Sequence, residues 1–251
     1  MLKAALIGFY NLRREENAWD IIKKLSNWGY RALENGSFLL KGDVNENLKI
    51  MADMNFSALS LAVDFKDLKN DLDETIAKMR AIQVNKLCCY WSDAQNFSEA
   101  VEIAGVLEKA GEKLSGENMF LCYHNHDHEF KKSFNGVKFF DILLSHTSPE
   151  NVYFNLDVGW ASFGVENVSD LVRTLNSRIK ILHFKDFYDF NKRDSFTALG
   201  TGKVKIQDLI VAANDIGMDY ITVEQDVCRN LNCDDTVLLS YLTLKESGLV
   251  E

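Results

Sequence analysis

Apolar, β-branched and aromatic residues gather into eight short runs along the chain: "KAALIGF", "YRALEN", "SALSLAV", "NKLCCYW", "MFLCYH", "NVYFNLDV", "IKILHF" and "YITVEQ". Runs of this length, rich in residues that fit a pleated surface, predict strands. The segments between them repeat their apolar positions at helical spacing. "EENAWDIIKKLSNWG" puts Trp19, Ile22 and Trp28 near one stripe and stops at Gly29, a helix-ending signal. "DLKNDLDETIAKMRAI", "FSEAVEIAGVLEKAGEKL", "VKFFDILLSH", "VSDLVRTL", "KIQDLIVAANDIG" and "DDTVLLSYLTLKESG" behave alike. "VNENLKIMADMN" carries the weakest pattern of the set.

Eight strand–helix pairs in 251 residues make roughly 31 residues per unit, the usual size in a (β/α)8 barrel. Near-continuous apolar strands suit a parallel sheet covered by helices. A doubly wound open sheet would carry a Gly-rich turn after its first strand, and "FYNLRREEN" offers none. One proline, Pro149, and no Gly/Ser linker or charge block interrupt the chain. The expected fold is therefore α/β, a single (β/α)8 TIM barrel over residues 1–251.

Composition narrows the function classes. At 47% hydrophobic and 26% charged, the chain reads as an ordinary globular protein. No apolar run reaches the roughly 18 residues that a membrane span needs, and the start turns charged too early for a signal peptide. The five cysteines are odd in number and show no CxxC spacing, which suits free thiols and a cytoplasmic location. A net charge of −9 without a Lys/Arg cluster argues against nucleic acid. The composition leaves room for a homo-oligomer.

In such a barrel the chemistry gathers at the C-terminal ends of the strands. The last four strand runs end in His124, Asp157, His183 and Glu224. A lone Asp or His at a strand end usually caps a helix or bonds a loop. Four in succession would converge on one mouth. Two imidazoles and two carboxylates make a mixed N/O set, suited to one divalent ion among Zn, Mn, Co and Fe.

At these residues the sequence resembles the xylose isomerase-like TIM barrels, the superfamily of sugar phosphate isomerases/epimerases and family 2 AP endonucleases. "YHNHDHEF", "LDVGWASFG", "LHFKDF" and "ALGTGKVKIQDLIVAANDIGMDYITVEQD" carry the resemblance, which covers most of the second half; the first half matches only in pattern. It implies a divalent metal held by His124, Asp157, His183 and Glu224. The sequence departs from the commonest pattern twice: His124 stands where glutamate is usual, and Trp160 stands where histidine is usual. A two-glutamate epimerase mechanism then loses one of its bases.

The expected function is a metal-dependent isomerase or epimerase of a small sugar or polyol, working through an enediolate. A dehydratase of an inosose-like keto-polyol and a non-catalytic sugar-binding barrel are the alternatives. The DNA-repair branch of the superfamily conflicts with the net charge. Glu224, His126 and Lys185 are the catalytic candidates. Glu34, Trp160 and Lys185 are the substrate-binding ones, each with a bland rival: a rim carboxylate, an aromatic core lid and a loop ion pair. Trp91, Phe187 and Tyr188 also follow strand ends and could stack on a sugar. "GTGK", Gly200 to Lys203, is either a phosphate-binding turn or a plain turn into a helix. Glu129 reads as structural, and His128 and His146 as surface residues.

Overall fold

The computed structural model describes residues 1–7, 17–70 and 72–251. Nine parallel strands form one curled sheet: β1 (Lys3–Ile7), β2 (Ala32–Glu34), β3 (Ser57–Ala58), β4 (Leu61–Val63), β5 (Lys86–Cys89), β6 (Phe120–His124), β7 (Val152–Asp157), β8 (Ile179–Phe184) and β9 (Tyr220–Val223). Their order is β3-β2-β1-β9-β8-β7-β6-β5-β4. The two end strands, β3 and β4, belong to one run of chain. Within that run the Leu59 N–H still donates to Leu33 O at 2.8 Å and the Ser60 carbonyl accepts from Gly36 N–H at 2.8 Å. Leu61 then pairs with Leu87 of β5. The ladder thus returns to its starting strand, so the sheet is an eight-stranded barrel whose third strand is interrupted.

Among the described residues, eight helices of seven residues or more alternate with these strands as the periodicity predicts: α1 (Ala18–Trp28), α2 (Val44–Asp53), α3 (Leu72–Ala81), α4 (Phe97–Ser115), α5 (Phe139–Ser145), α6 (Val168–Leu175), α7 (Ile206–Asp215) and α8 (Cys233–Glu246). Local chemistry sets their ends. The Asn17 side chain accepts from Trp19 N–H, and α1 buries Ile21, Ile22 and Leu25 before stopping at Gly29, where φ is 117°. A Cβ there would also lie 2.1 Å from the Tyr241 ring, so conformation and space both require glycine. Asn96 starts α4 by accepting from Glu99 N–H while donating to the Glu99 carboxylate.

Three details differ from the sequence reading. The segment 65–69 is a 3₁₀ turn, so α3 begins at Leu72 and not at Asp67. Val137 and Lys138 pair with Ser133 and Phe134 in a small antiparallel ribbon, so α5 starts at Phe139. Residues His128–Lys131 form a helical turn. Gly8 and Phe9 of the first apolar run, Glu15 and Glu16 of the first helical segment, and "FYNLRREEN" up to Glu16 lie outside the described residues.

Alternation along the strands decides what faces the barrel interior. Residues two apart share a face. Cys122 and His124, Ile181 and His183, Asn155 and Asp157, and Cys88 and Tyr90 therefore stack in the same columns. Cys88, Cys122 and Ile181 form a small apolar floor, separate from the larger core between sheet and helices. The polar residues lie above that floor, toward the C-terminal mouth. All five cysteines are free thiols. Among the described residues no helix is long and apolar enough to cross a membrane.

Candidate metal and substrate site at the barrel mouth

His124 ends β6, Asp157 ends β7, His183 is the penultimate residue of β8, and Glu224 follows β9 directly. Glu224 N–H still donates to Phe184 O at 2.9 Å, which holds it in the ladder. Asn125 locks β6 to β7: its side chain accepts from Asp157 N–H at 3.0 Å and donates to Asp157 O at 3.1 Å. One ligand atom from each of His124, Asp157, His183 and Glu224 lies within 4.8 Å of the others. These are the four strand-end residues that the sequence singles out.

A divalent ion sits about 2.0–2.2 Å from nitrogen or carboxylate donors, so donors on opposite sides of it are roughly 4.0–4.4 Å apart. The set lies slightly wider than that spacing and would close in around an ion. Asp157 Oδ2 is buried without a hydrogen-bond partner and has only the Lys185 ammonium at 3.4 Å, and His124 Nε2 faces Glu224 Oε2 at 3.9 Å, so both offer lone pairs to a metal. The residues therefore fit a divalent ion.

The charges around this set are tightly interlocked. His183 donates from Nδ1 to Glu224 Oε2 at 2.8 Å and from Nε2 to Glu34 Oε2 at 2.6 Å. Burial alone would push His183 down, but Glu34 and Glu224 outweigh it and hold the imidazole up at about 10. Lys185, fully buried, lies 2.8 Å from Asp226, 3.2 Å from Glu224 and 3.4 Å from Asp157. Burial would raise Glu224, yet Lys185 and His183 keep its carboxyl well below the usual range. Asp157 goes the other way: burial outweighs Lys185 and pushes it up to about 8. Burial also drives His124 down to about 3 and His126 to about 2, so both rings are neutral and their lone pairs are free to act as ligands or acceptors.

Glu34 is not among the residues that line the cavity over this cluster. It is fully buried, and its oxygens accept from Tyr90 OH, Asn155 Nδ2 and His183 Nε2. In this structure Glu34, expected as a substrate ligand, buttresses His183. With His183 deprotonated at Nδ1, Glu34 would still hold Nε2–H, the carboxylate–histidine pairing that orients metal-binding imidazoles. Trp160, also expected at the substrate, is buried as well. It is 2% exposed, packed among Phe163, Phe187 and Phe196, with Lys185 and Arg193 over its ring. It supports the lysine and offers no sugar-stacking face. Phe187 is likewise buried, while Trp91 and Tyr188 are exposed.

A cavity of about 330 Å³ opens over the cluster; Tyr90, Trp91, His124, His126, Glu224 and Asp226 are among its walls. His126 is thus at the cavity, whereas Lys185 lies beneath Glu224 and Asp226. Glu129 is structural: it accepts from Tyr123 OH at 2.7 Å and His126 N–H at 2.8 Å. His128 is partly buried, contrary to a surface position, with Nε2 2.9 Å from Ser92 O. His146 is exposed as expected. Sequence reasoning missed Asp226 and Asn155. Asp226 was visible only as the last letter of "VEQD", and Asn155 only by its spacing two residues before Asp157.

The glycine turn already holds an anion, and it is internal. Asp186 is buried and accepts from Gly200 and Gly202 N–H on Oδ2 and from Phe187 and Val204 N–H on Oδ1. Backbone donors that suggested a phosphate site are engaged by the residue that follows Lys185.

No protein-family model and no curated protein sequence matches the chain. Solved structures do. A sugar phosphate isomerase/epimerase from Parabacteroides distasonis superposes with a TM-score of 0.83 at 20% identity, over 100% of this chain and 96% of that one. A xylose isomerase domain protein from Alicyclobacillus acidocaldarius gives 0.79 at 11% identity, over 99% of each chain. The IOLI protein, whose structure has a bound zinc atom, gives 0.76 at 13%, over 98% of each chain. By its fold, the chain is a (β/α)8 barrel similar to these three structures.

Proposed function

We propose that this barrel is a metal-assisted carbohydrate isomerase or epimerase that moves a proton on the carbon next to a carbonyl. The observation that carries this reading is the gathering of His124, Asp157, His183 and Glu224 within 4.8 Å, beneath a cavity that Glu224 also lines. A bound divalent ion would supply Lewis-acid polarisation of the substrate's carbonyl and neighbouring hydroxyl. Asp157, His124, His183 and Glu224 would hold it. Glu224, ionised and reaching the cavity, takes the proton from carbon and returns it to the adjacent one, while the hydroxyl proton passes to the former carbonyl oxygen. His126, neutral and at the cavity wall, binds the substrate oxygen. Lys185 lies too deep for substrate. Its ammonium keeps Glu224 ionised and Asp226 in place. With His124 at the usual glutamate position, the proton shift runs through one base.

One observation favours a second reading, a sugar-binding barrel without catalysis. Lys185 and protonated His183 offset two of the three negative charges of Glu34, Glu224 and Asp226 within the protein itself. Glu224→Gln separates the two. Ketoses, inososes and aldoses are incubated in D₂O with metal-loaded protein, and carbon-bound deuterium is followed by NMR. The parent should label a position next to a carbonyl, and the variant should be slower by about 10²–10⁴-fold. Equal labelling by both removes Glu224 as the base. No labelling, with sugar binding retained, favours the binder.

A further inference from the structure

The cavity over Glu224 does not stand alone. A second cavity of about 600 Å³ adjoins it, and Ala62, Tyr90 and Trp91 line both. The inner cavity alone is at the small end of the roughly 300–1,000 Å³ typical of small-molecule sites, whereas the pair lies near the large end. The outer one runs over the rim between β4 and α3. Its walls mix apolar faces, Leu40 and Phe65, with hydrogen-bonding ones, Ser37, Asn70 and Thr75.

Trp91 stands where the two meet. The residue is 52% exposed, although its ring is braced against His126 at 4.8 Å and His128 at 4.7 Å. A rigid indole held open at a junction of two cavities is a platform for an apolar ring face. The charge of the outer walls narrows what that ring carries. Asp64, Asp67 and Glu74 outnumber Lys78 among them; the Lys78 ammonium pairs with Glu74 at 2.5 Å, and that of Lys66 lies 3.7 Å from Asp64. Carboxylates accept hydrogen bonds from hydroxyl groups and repel phosphate.

From this we infer that the substrate is a neutral two-ring carbohydrate, a glycoside or disaccharide. Its reacting unit sits in the inner cavity at Glu224, and its second unit crosses Trp91 into the outer one. The inference rests on the proposed function only in placing the reacting sugar in the inner cavity.

Binding tests it independently of turnover. Ligand-observed NMR titrations would compare maltulose, lactulose and cellobiose with fructose, galactose and glucose, and with fructose 6-phosphate. At least one disaccharide should bind about tenfold more tightly than its constituent monosaccharides, and fructose 6-phosphate no more tightly than fructose. Thr75→Trp, which fills the outer cavity from α3, should erase the disaccharide's advantage and leave monosaccharide binding as in the parent. Phe65→Ala, which removes an outer wall, should reduce the advantage and serves if the tryptophan variant does not fold. Absence of any disaccharide advantage, its survival in a folded Thr75→Trp protein, or tighter binding of the phosphate ester overturns the inference. The isomerase reading is unaffected by those results. It falls on the deuterium exchange of the parent and Glu224→Gln.

Discussion

Replacing Asp186 by asparagine tests whether the glycine turn is held by an internal anion. The carboxylate takes two backbone N–H donors on each oxygen, at 2.8 and 3.0 Å on Oδ1 and at 3.0 and 2.9 Å on Oδ2. In asparagine one oxygen becomes an NH₂ group. Whichever way the amide turns, two backbone donors then face a donor. Each buried donor left without a partner costs about 1–3 kcal/mol, so the change should remove roughly 4 kcal/mol. For a chain of this size that lowers Tm by roughly 8–16 °C. Calorimetry gives the shift, and hydrogen exchange locates it at the amides of Gly200, Gly202 and Val204. Inorganic phosphate should not protect those amides in the parent, because Asp186 already engages them. A Tm within about 2 °C of the parent, or protection by phosphate, would refute the reasoning.

Three further outcomes follow from the same network. His183→Ala should weaken metal binding in calorimetric titrations and also destabilise the protein by about 3–5 kcal/mol, because Glu34 and Glu224 lose the cation buried between them; an unchanged urea midpoint would show that the pair is not coupled to folding. In EDTA-treated protein, His183 is held at about 10, against about 6.5 when unfolded. A raised value means its contribution is fully present below pH about 6.5 and is lost as pH rises through about 10, by up to about 5 kcal/mol. The urea midpoint should fall across that window in the parent and less in His183→Gln. Gly159→Ala would put a Cβ 2.4 Å from Lys185 O and 2.8 Å from Lys185 Cβ, so a loss of about 1–3 kcal/mol is expected in thermal melts.

The barrel and the four strand-end donors were legible because both follow from short-range rules. Apolar runs and helical stripes give the order of elements, and order fixes which ends share a mouth. Residue types at those ends then show the donor set. What the sequence hid depends on direction and depth. Glu34 ends its strand as His124 does, yet points inward to His183. Trp160 follows Asp157 by three residues and looks like a sugar platform, but the helical turn Val158–Ala161 folds it into the core. The glycine turn reads as an anion site, and it is one; only the fold shows that the anion is Asp186. The outer cavity arises between the turn Phe65–Lys69, α3 and the end of β5, and no local pattern marks it.

The contact between Glu34 and His183 joins residues 149 positions apart, and it constrains the order in which the chain assembles. Glu34 is an acid buried with no exposure, and its cation arrives only with β8. A nascent half-barrel ending at β6 would have to desolvate that carboxylate without its partner, or leave the mouth of β2 open to water. Closure of the sheet and neutralisation of its centre are thus one late event. Loop closure over that separation slows folding, and an isolated N-terminal half should remain a loose, water-penetrated intermediate until the last three strands dock.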